Sequence, residues 1–119
     1  MSKAATDRRR FVRHARILDA SWGGESQPID HLVAVWDISR GGVLLHDHSP
    51  FDVGALLTIR IYNASGKSLD RKLRVVRLQE HGHGAWHIGG KFELPLTEEE
   101  LKFLLYDARP PSNLARSTC

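Results

Sequence analysis

The fold class is decided by the stretch Leu57-Thr58-Ile59-Arg60-Ile61-Tyr62 and the four residues that follow it, Asn63-Ala64-Ser65-Gly66. Apolar residues alternate with polar or amphipathic ones, which is the period-2 pattern of a half-buried β-strand. A short polar run that ends in glycine predicts a hairpin turn after such a strand. The chain is therefore expected to return at once as a second, antiparallel strand.

The returning strand is predicted over Leu69 to Leu78, and its apolar pattern changes phase in the middle. Because one inserted residue reverses the face of every residue after it, we expect a β-bulge near Val75-Val76. Gly82 and Gly84 then predict another turn. A further strand is predicted from Trp86 to Phe92.

Three more strands are predicted before this hairpin, from His14 to Trp22, from Ile29 to Ile38, and over Val43-Leu44-Leu45. Gly23-Gly24 are expected to end the first of them. Short strands at close spacing indicate a closed or nearly closed barrel. The sequence predicts a mainly β fold, a six-stranded antiparallel barrel.

The period changes near the end of the chain, where a single helix is expected. Thr97 and Glu100 have the spacing of a capping box, and Leu96 and Leu101 that of a hydrophobic staple. One helical face would carry Leu101, Leu104, Leu105 and Ala108. One C-terminal α-helix should therefore pack on the wall or mouth of the barrel.

Composition indicates one folded domain in 119 residues, which we place at residues 7–108 between flexible segments 1–6 and 109–119. No apolar run approaches the roughly 20 residues that cross a bilayer, so membrane insertion is not expected. The opening residues lack a signal peptide's apolar region, and the only cysteine is Cys119. We therefore expect a cytoplasmic protein.

Positive charge is concentrated at the start of the chain. The first sixteen residues carry six cations opposed only by Asp7, whereas the whole chain has a net charge of +3, so the remainder is about −2. Guanidinium groups bind phosphate oxygens or a guanine edge with two hydrogen bonds. This cationic segment, residues 1–16, which we call the arm, therefore predicts that the protein binds a phosphate-rich ligand.

Two motifs in this chain resemble those of the PilZ domain family. The arm contains Arg9-Arg10-Phe11-Val12-Arg13, an Arg-x-x-x-Arg motif, and Asp37-Ile38-Ser39-Arg40-Gly41-Gly42 follows as Asp-x-Ser-x-x-Gly. Ile88-Gly89-Gly90-Lys91-Phe92 also resembles a late strand of that family, although Gly90 stands where a β-branched residue is more usual. The resemblance runs from about Asp7 to Ala108.

The resemblance implies a PilZ-type barrel that binds cyclic di-GMP, a bacterial second messenger. Arg9 and Arg13 would contact phosphate and guanine, and Asp37 and Ser39 would meet a guanine edge. Gly42 would leave room for the base, and Arg8 would hold a second ligand molecule in an intercalated dimer. The site expected from the sequence thus comprises Arg8, Arg9, Arg13, Asp37, Ser39, Gly41 and Gly42.

The residue chemistry agrees with this expectation. The Asp37 carboxylate can accept hydrogen bonds from N1–H and N2–H₂ of guanine, a match that adenine cannot make, and Ser39 can make one further bond. Gly41 and Gly42 permit a close backbone approach. We expect the arm to order over the ligand and to signal to an unidentified downstream protein, with no cofactor beyond the nucleotide.

Two alternatives remain open: a PilZ-fold protein-interaction module without nucleotide binding, and a nucleic-acid-binding barrel. The strands lack the interleaved aromatic and basic residues of a single-strand platform, so nucleic acid is not expected. No nucleophile–base pair indicates an enzyme. His81, His83 and His87 lack a completing cysteine or carboxylate, so they indicate a solvated turn and no metal site.

Overall fold

The computed structural model describes residues 12–15 and 17–106. Several expectations concern residues outside these ranges: the flexible segments 1–6 and 109–119, the arginines Arg8 and Arg9, and the last apolar position of the predicted helix, Ala108.

The described chain forms six strands and one helix: β1 (Leu18–Gly24), β2 (His31–Ile38), β3 (Gly42–Asp47), β4 (Leu56–Tyr62), β5 (Ser68–Glu80), β6 (Trp86–Phe92) and α1 (Glu98–Tyr106). The strands close into an antiparallel barrel in the order β1-β2-β3-β6-β5-β4. Because β1 pairs with both β2 and β4, no strand is left as an edge. The predicted six-stranded antiparallel barrel with a C-terminal helix is confirmed.

The helix packs against the same core that fills the barrel. Leu101, Leu104 and Leu105 join the cluster of buried apolar residues that includes Ile59 and Ile61 of β4. Each such leucine contributes about 1.5–3 kcal/mol by leaving water. This nine-residue helix, the one helix in the described part of the chain, is neither long nor apolar enough to cross a membrane.

The first strand lies later in the chain than the sequence pattern predicts. His14 makes only an isolated bridge to Ile38, and the strand begins at Leu18, the first side chain that enters the core. Gly23 and Gly24 belong to the strand as its last two residues, because they pair with Thr58 and Leu57 of β4. A Cβ at Gly23 would lie 2.1 Å from the Pro28 carbonyl oxygen, so glycine is needed there for a close approach.

Two β-bulges aim side chains away from the barrel. The register of β5 against β6 shifts between Val75 and Arg77, which confirms the predicted bulge and leaves Val76 half exposed. A second shift in the β2–β3 pairing lies between Val35 and Asp37 and was not predicted. At both positions the extra residue changes which face the following residue occupies.

The predicted hairpin turn between β4 and β5 is held by one asparagine. The Asn63 side-chain oxygen accepts hydrogen bonds from the backbone N–H groups of Ser65 and Lys67, each at 3.0 Å. Its amide nitrogen donates to the Phe103 carbonyl oxygen at 3.3 Å. This buried side chain therefore ties the hairpin to α1.

The capping box of α1 forms as predicted, and its removal should cost measurable stability. The Glu100 N–H donates to Thr97 Oγ1 at 3.0 Å, and the Thr97 N–H donates to Glu100 Oε1 at 2.8 Å. Thr97→Ala is expected to lower the free energy of unfolding by about 1 kcal/mol, because the Glu100 N–H at the helix start loses its hydrogen-bond acceptor. Urea denaturation measures this; an unchanged midpoint would contradict the cap's role.

Candidate functional site

Arg13 is fixed beside Asp37 by the backbone of its neighbour. The His14 N–H donates to the Ile38 carbonyl at 2.8 Å, and the Ile38 N–H donates to the His14 carbonyl at 3.0 Å. This bridge aligns residue 13 with the end of β2. Arg13 Nη2 lies 2.6 Å from Asp37 Oδ2, and Arg13 Nε lies 3.2 Å from Asp37 Oδ1.

Arg13 and Asp37 therefore bind each other with two parallel hydrogen bonds, a fork that the sequence alone did not indicate. Their side chains are 36% and 21% exposed, so the pair is open to solvent. Such exposed pairs contribute only about 0–1 kcal/mol to stability. A ligand that offers better partners to both groups can therefore separate them at little cost.

Ser39 organises the turn between β2 and β3. Its hydroxyl oxygen accepts hydrogen bonds from the N–H groups of Gly41 at 3.2 Å and Gly42 at 3.3 Å. The Ser39 N–H donates to the Gly42 carbonyl at 2.9 Å. The hydroxyl oxygen thus accepts its hydrogen bonds from within the turn, which gives the serine a structural role in shaping the site.

Gly41 and Gly42 bring this turn against β6. The Phe92 N–H donates to the Gly41 carbonyl at 2.9 Å. A Cβ built at Gly42 would lie only 2.2 Å from the Gly90 carbonyl oxygen. Glycine at position 42 is therefore required by the packing of β3 on β6, in addition to any room that it leaves for a ligand.

Glycine at position 90, where the resemblance predicts a β-branched residue, is explained by the core. A Cβ at Gly90 would meet the Leu73 side chain at 2.6–2.9 Å. Leu73 is fully buried. The leucine side chain from β5 thus fills the space that a larger residue on β6 would take.

The paired side chains and the turn line one shallow pocket of about 170 Å³ on the outside of the barrel. Its walls include Arg13, Asp37, Ser39, Gly42, Arg77 and Gly89. Four of the seven predicted site residues thus meet at one place, and Gly41 lies between two of them. Arg8 and Arg9 lie outside the described residues.

Arg77 is the site residue that sequence reasoning missed. It pairs in register with Gly89, and its guanidinium carbon would lie 3.6 Å from a Cβ at that glycine, so the side chain lies across β6. The bulge at Val76 sets which face Arg77 occupies. The change of phase in the apolar pattern at Val75-Val76 is the one sequence signal that could have identified Arg77.

A larger cavity of about 530 Å³ lies elsewhere on the barrel. Its walls include Asp19, Leu32, Val33 and Tyr62, and no lysine or arginine is among its lining residues. Phosphate oxygens would find no cation among those described residues. Size alone therefore favours this cavity, but chemistry favours the smaller pocket for an anionic ligand.

Comparison with known proteins agrees with the barrel and its motifs. The family model described as PilZ domain matches residues 7–106. The chain belongs to the PilZ domain family. Members of this family are binding and adaptor modules, and the match includes the segment that carries Arg8 and Arg9.

Among solved structures, the barrel is similar to the Inhibitor of motility (MotI/DgrA) of Bacillus subtilis, with a TM-score of 0.64 and 18% sequence identity. The similarity covers 81% of this chain and 47% of that one, so this chain spans about half the length of its structural neighbour. At this identity the likeness concerns the fold. No curated protein matches the sequence.

Proposed function

We propose that this chain is a cyclic di-GMP receptor that acts as an adaptor for a downstream protein. The observation that carries the proposal is the contact between Arg13 and Asp37 at the rim of a pocket that also holds the Ser39 turn. A cation for phosphate and a carboxylate for a guanine edge thus stand side by side. Family membership supports the same ligand.

Binding would proceed by an exchange of partners. Guanine N1–H and N2–H₂ offer the Asp37 carboxylate two parallel donors, which is the geometry that Arg13 supplies in the described structure. Once released, the Arg13 guanidinium can bind a phosphate oxygen or the O6/N7 edge of guanine. The ligand therefore satisfies both groups that it separates.

Arg77 adds a second cation to the lining of the pocket. Its guanidinium forms no ion pair among the described residues, which leaves it available to a phosphate. Hydrogen bonds to charged groups contribute roughly 1.5–3 kcal/mol each. Two cations and one carboxylate in the same pocket suit a ligand that carries both phosphates and bases.

The pocket is too small to enclose the whole ligand. Pockets that bury a complete small molecule measure roughly 300–1,000 Å³, whereas this one measures about 170 Å³. We therefore propose that one base and its phosphate occupy the pocket and that Arg8 and Arg9 cover the remainder. Ordering of that arm on the nucleotide would create the surface that the downstream protein recognises.

The proposal predicts discrimination between guanine and adenine. A carboxylate accepts from N1–H and N2–H₂ of guanine, but adenine presents an unprotonated N1 and no 2-amino group. Cyclic di-GMP at 100 times its Kd should stabilise the protein by about 2.7 kcal/mol and raise its melting temperature, while cyclic di-AMP at the same concentration should not. Thermal denaturation with each nucleotide measures the difference.

Equal stabilisation by both nucleotides would show that Asp37 does not read the base and would contradict the proposed exchange. Stabilisation by neither would favour the interaction module without nucleotide binding. Retention on a polynucleotide that weakens steeply with salt would favour the nucleic-acid-binding barrel.

A further inference from the structure

Three histidines from two separate parts of the sequence meet on the outside of the barrel, where they form what we call the histidine cluster: His46, His81 and His87. His46 of β3 and His87 of β6 are direct partners in the strand register. Their ring centres lie 5.4 Å apart, and the His81 ring stacks on His87 at 3.9 Å. Trp36 stacks on His46 at 4.4 Å, and its ring also meets that of His87 edge to face at 4.9 Å.

Two nitrogens of this cluster are buried without a partner. Nδ1 of His46 and Nε2 of His87 are shielded from solvent and have no hydrogen bond within residues 12–15 and 17–106. Buried polar atoms are almost always hydrogen-bonded or bound to a ligand, because an unsatisfied one is costly. Each unpartnered nitrogen therefore needs an explanation that the described side chains do not supply.

Imidazole is a common protein ligand of transition metals. A neutral imidazole has one nitrogen with a free lone pair, and this is the form that binds the ion. The two unpartnered nitrogens of His46 and His87 are therefore of the right chemical type.

One of the three ring separations, that between His46 and His87, already suits a three-histidine metal site. With Zn–N bonds of about 2.0–2.1 Å and tetrahedral angles, three imidazoles around one zinc ion have centres about 5 Å apart. The observed separations are 3.9, 5.4 and 6.3 Å, on both sides of that value. In the described part of the chain no three ligand groups already converge on one point, so the His81 ring must turn off His87.

The position of His81 allows that movement. It opens the exposed turn between β5 and β6, in which Gly82, His83 and Gly84 all have positive φ. The turn is fixed at its base by the His81 N–H, which donates to the Ala85 carbonyl at 2.8 Å. The backbone of His81 is therefore held while its side chain projects from an exposed hairpin. Rotation about χ1 would replace the stacking of the His81 ring on His87.

We propose that the histidine cluster binds one transition-metal ion, such as Zn²⁺, through imidazole nitrogens of His46, His81 and His87. His48, whose ring lies 5.8 Å from that of His46, is within reach as a fourth ligand. Nitrogen ligands of this kind select zinc, copper or nickel over magnesium or calcium. This site does not depend on the proposed nucleotide function.

The metal would connect elements that also form the nucleotide pocket. Leu44 and Gly89 line that pocket, and they lie two residues before His46 on β3 and two residues after His87 on β6, on the same outer face of each strand. A bound ion would join β3, β6 and the β5–β6 turn beside the pocket. The two ligands would therefore sit on one continuous surface.

Zinc titration of the full-length protein, purified without a polyhistidine tag, tests the proposal. We expect one zinc ion per chain. His87→Gln and His46→Gln should each weaken binding at least about tenfold, because losing even an outer partner of a zinc ligand costs 10–100-fold. If His87→Gln and His46→Gln fail to fold, His81→Gln takes their place in the test, because its side chain is exposed and its replacement should leave the fold intact.

The matched control is His83→Asn, in the same turn as His81. His83 makes no ring contact with the described residues, and asparagine tolerates its positive φ of 52°. It should bind zinc like the unaltered protein, as should Cys119→Ser. Failure of the unaltered protein to bind a stoichiometric zinc ion would overturn the proposal, as would equal losses in His83→Asn and His81→Gln.

Discussion

Asp37→Ala is expected to weaken the binding of cyclic di-GMP by at least about tenfold. The variant removes both acceptors for the guanine edge, and hydrogen bonds to a charged group are worth roughly 1.5–3 kcal/mol. Its fold should persist, because the pair that Asp37 forms with Arg13 is exposed and adds little stability. Isothermal titration of a protein shown by circular dichroism to be folded measures the loss.

Asp70→Ala provides the matched control. Asp70 pairs with Arg60 in the same forked geometry, with distances of 2.7 and 2.9 Å, and both side chains are exposed. Asp70 does not line the pocket that contains Arg13 and Asp37. Nucleotide binding that falls equally in both variants would indicate a general electrostatic effect and would count against base recognition by Asp37.

Gly42→Ala is expected to destabilise the fold by about 1–3 kcal/mol, and by more if the strands cannot adjust, because overpacking forces the backbone to shift. The added Cβ would lie 2.2 Å from the Gly90 carbonyl oxygen, and a backbone atom in a paired strand cannot swing aside as a side chain can. The free energy of unfolding in urea measures the change.

Gly24→Ala controls for the general effect of replacing glycine in a strand. The nearest atom to a Cβ at Gly24 is Oε1 at the flexible end of Gln27, at 3.1 Å, so a small adjustment relieves the contact. Its stability should change much less than that of Gly42→Ala. Equal effects at the two positions would refute the packing requirement assigned to Gly42.

Most of the barrel could be predicted from local patterns. The alternation in β4, the Asn63 turn and the phase change at Val75-Val76 each reflect the chemistry of neighbouring residues, and the structure contains all three. The capping box of α1 is equally local. Such signals are reliable because no distant contact is needed to produce them.

Features that depend on distant contacts could not be predicted. Gly23-Gly24 look like a strand end in sequence, but pairing with β4 keeps them in β1. The bulge that displaces Trp36 has no counterpart in the apolar pattern around it. The meeting of His46 with His87 depends on β3 pairing with β6, which are separated in the chain by β4 and β5.

The candidate site shows the same division. The resemblance to the PilZ family assigned Arg13, Asp37, Ser39 and Gly42 to one expected site, and all four line one pocket. The sequence did not reveal that Arg13 and Asp37 bind each other, because that depends on the backbone bridge between His14 and Ile38. The assignment of these residues to the nucleotide remains a prediction.

Direct titration of the unaltered protein with cyclic di-GMP tests the central claim most directly. We predict saturable binding that releases or absorbs heat at moderate salt, with a ratio of one or two nucleotides per chain. A ratio of two would support the role expected for Arg8, and a ratio of one would remove it. Absence of binding by a protein shown to be folded would contradict the receptor function.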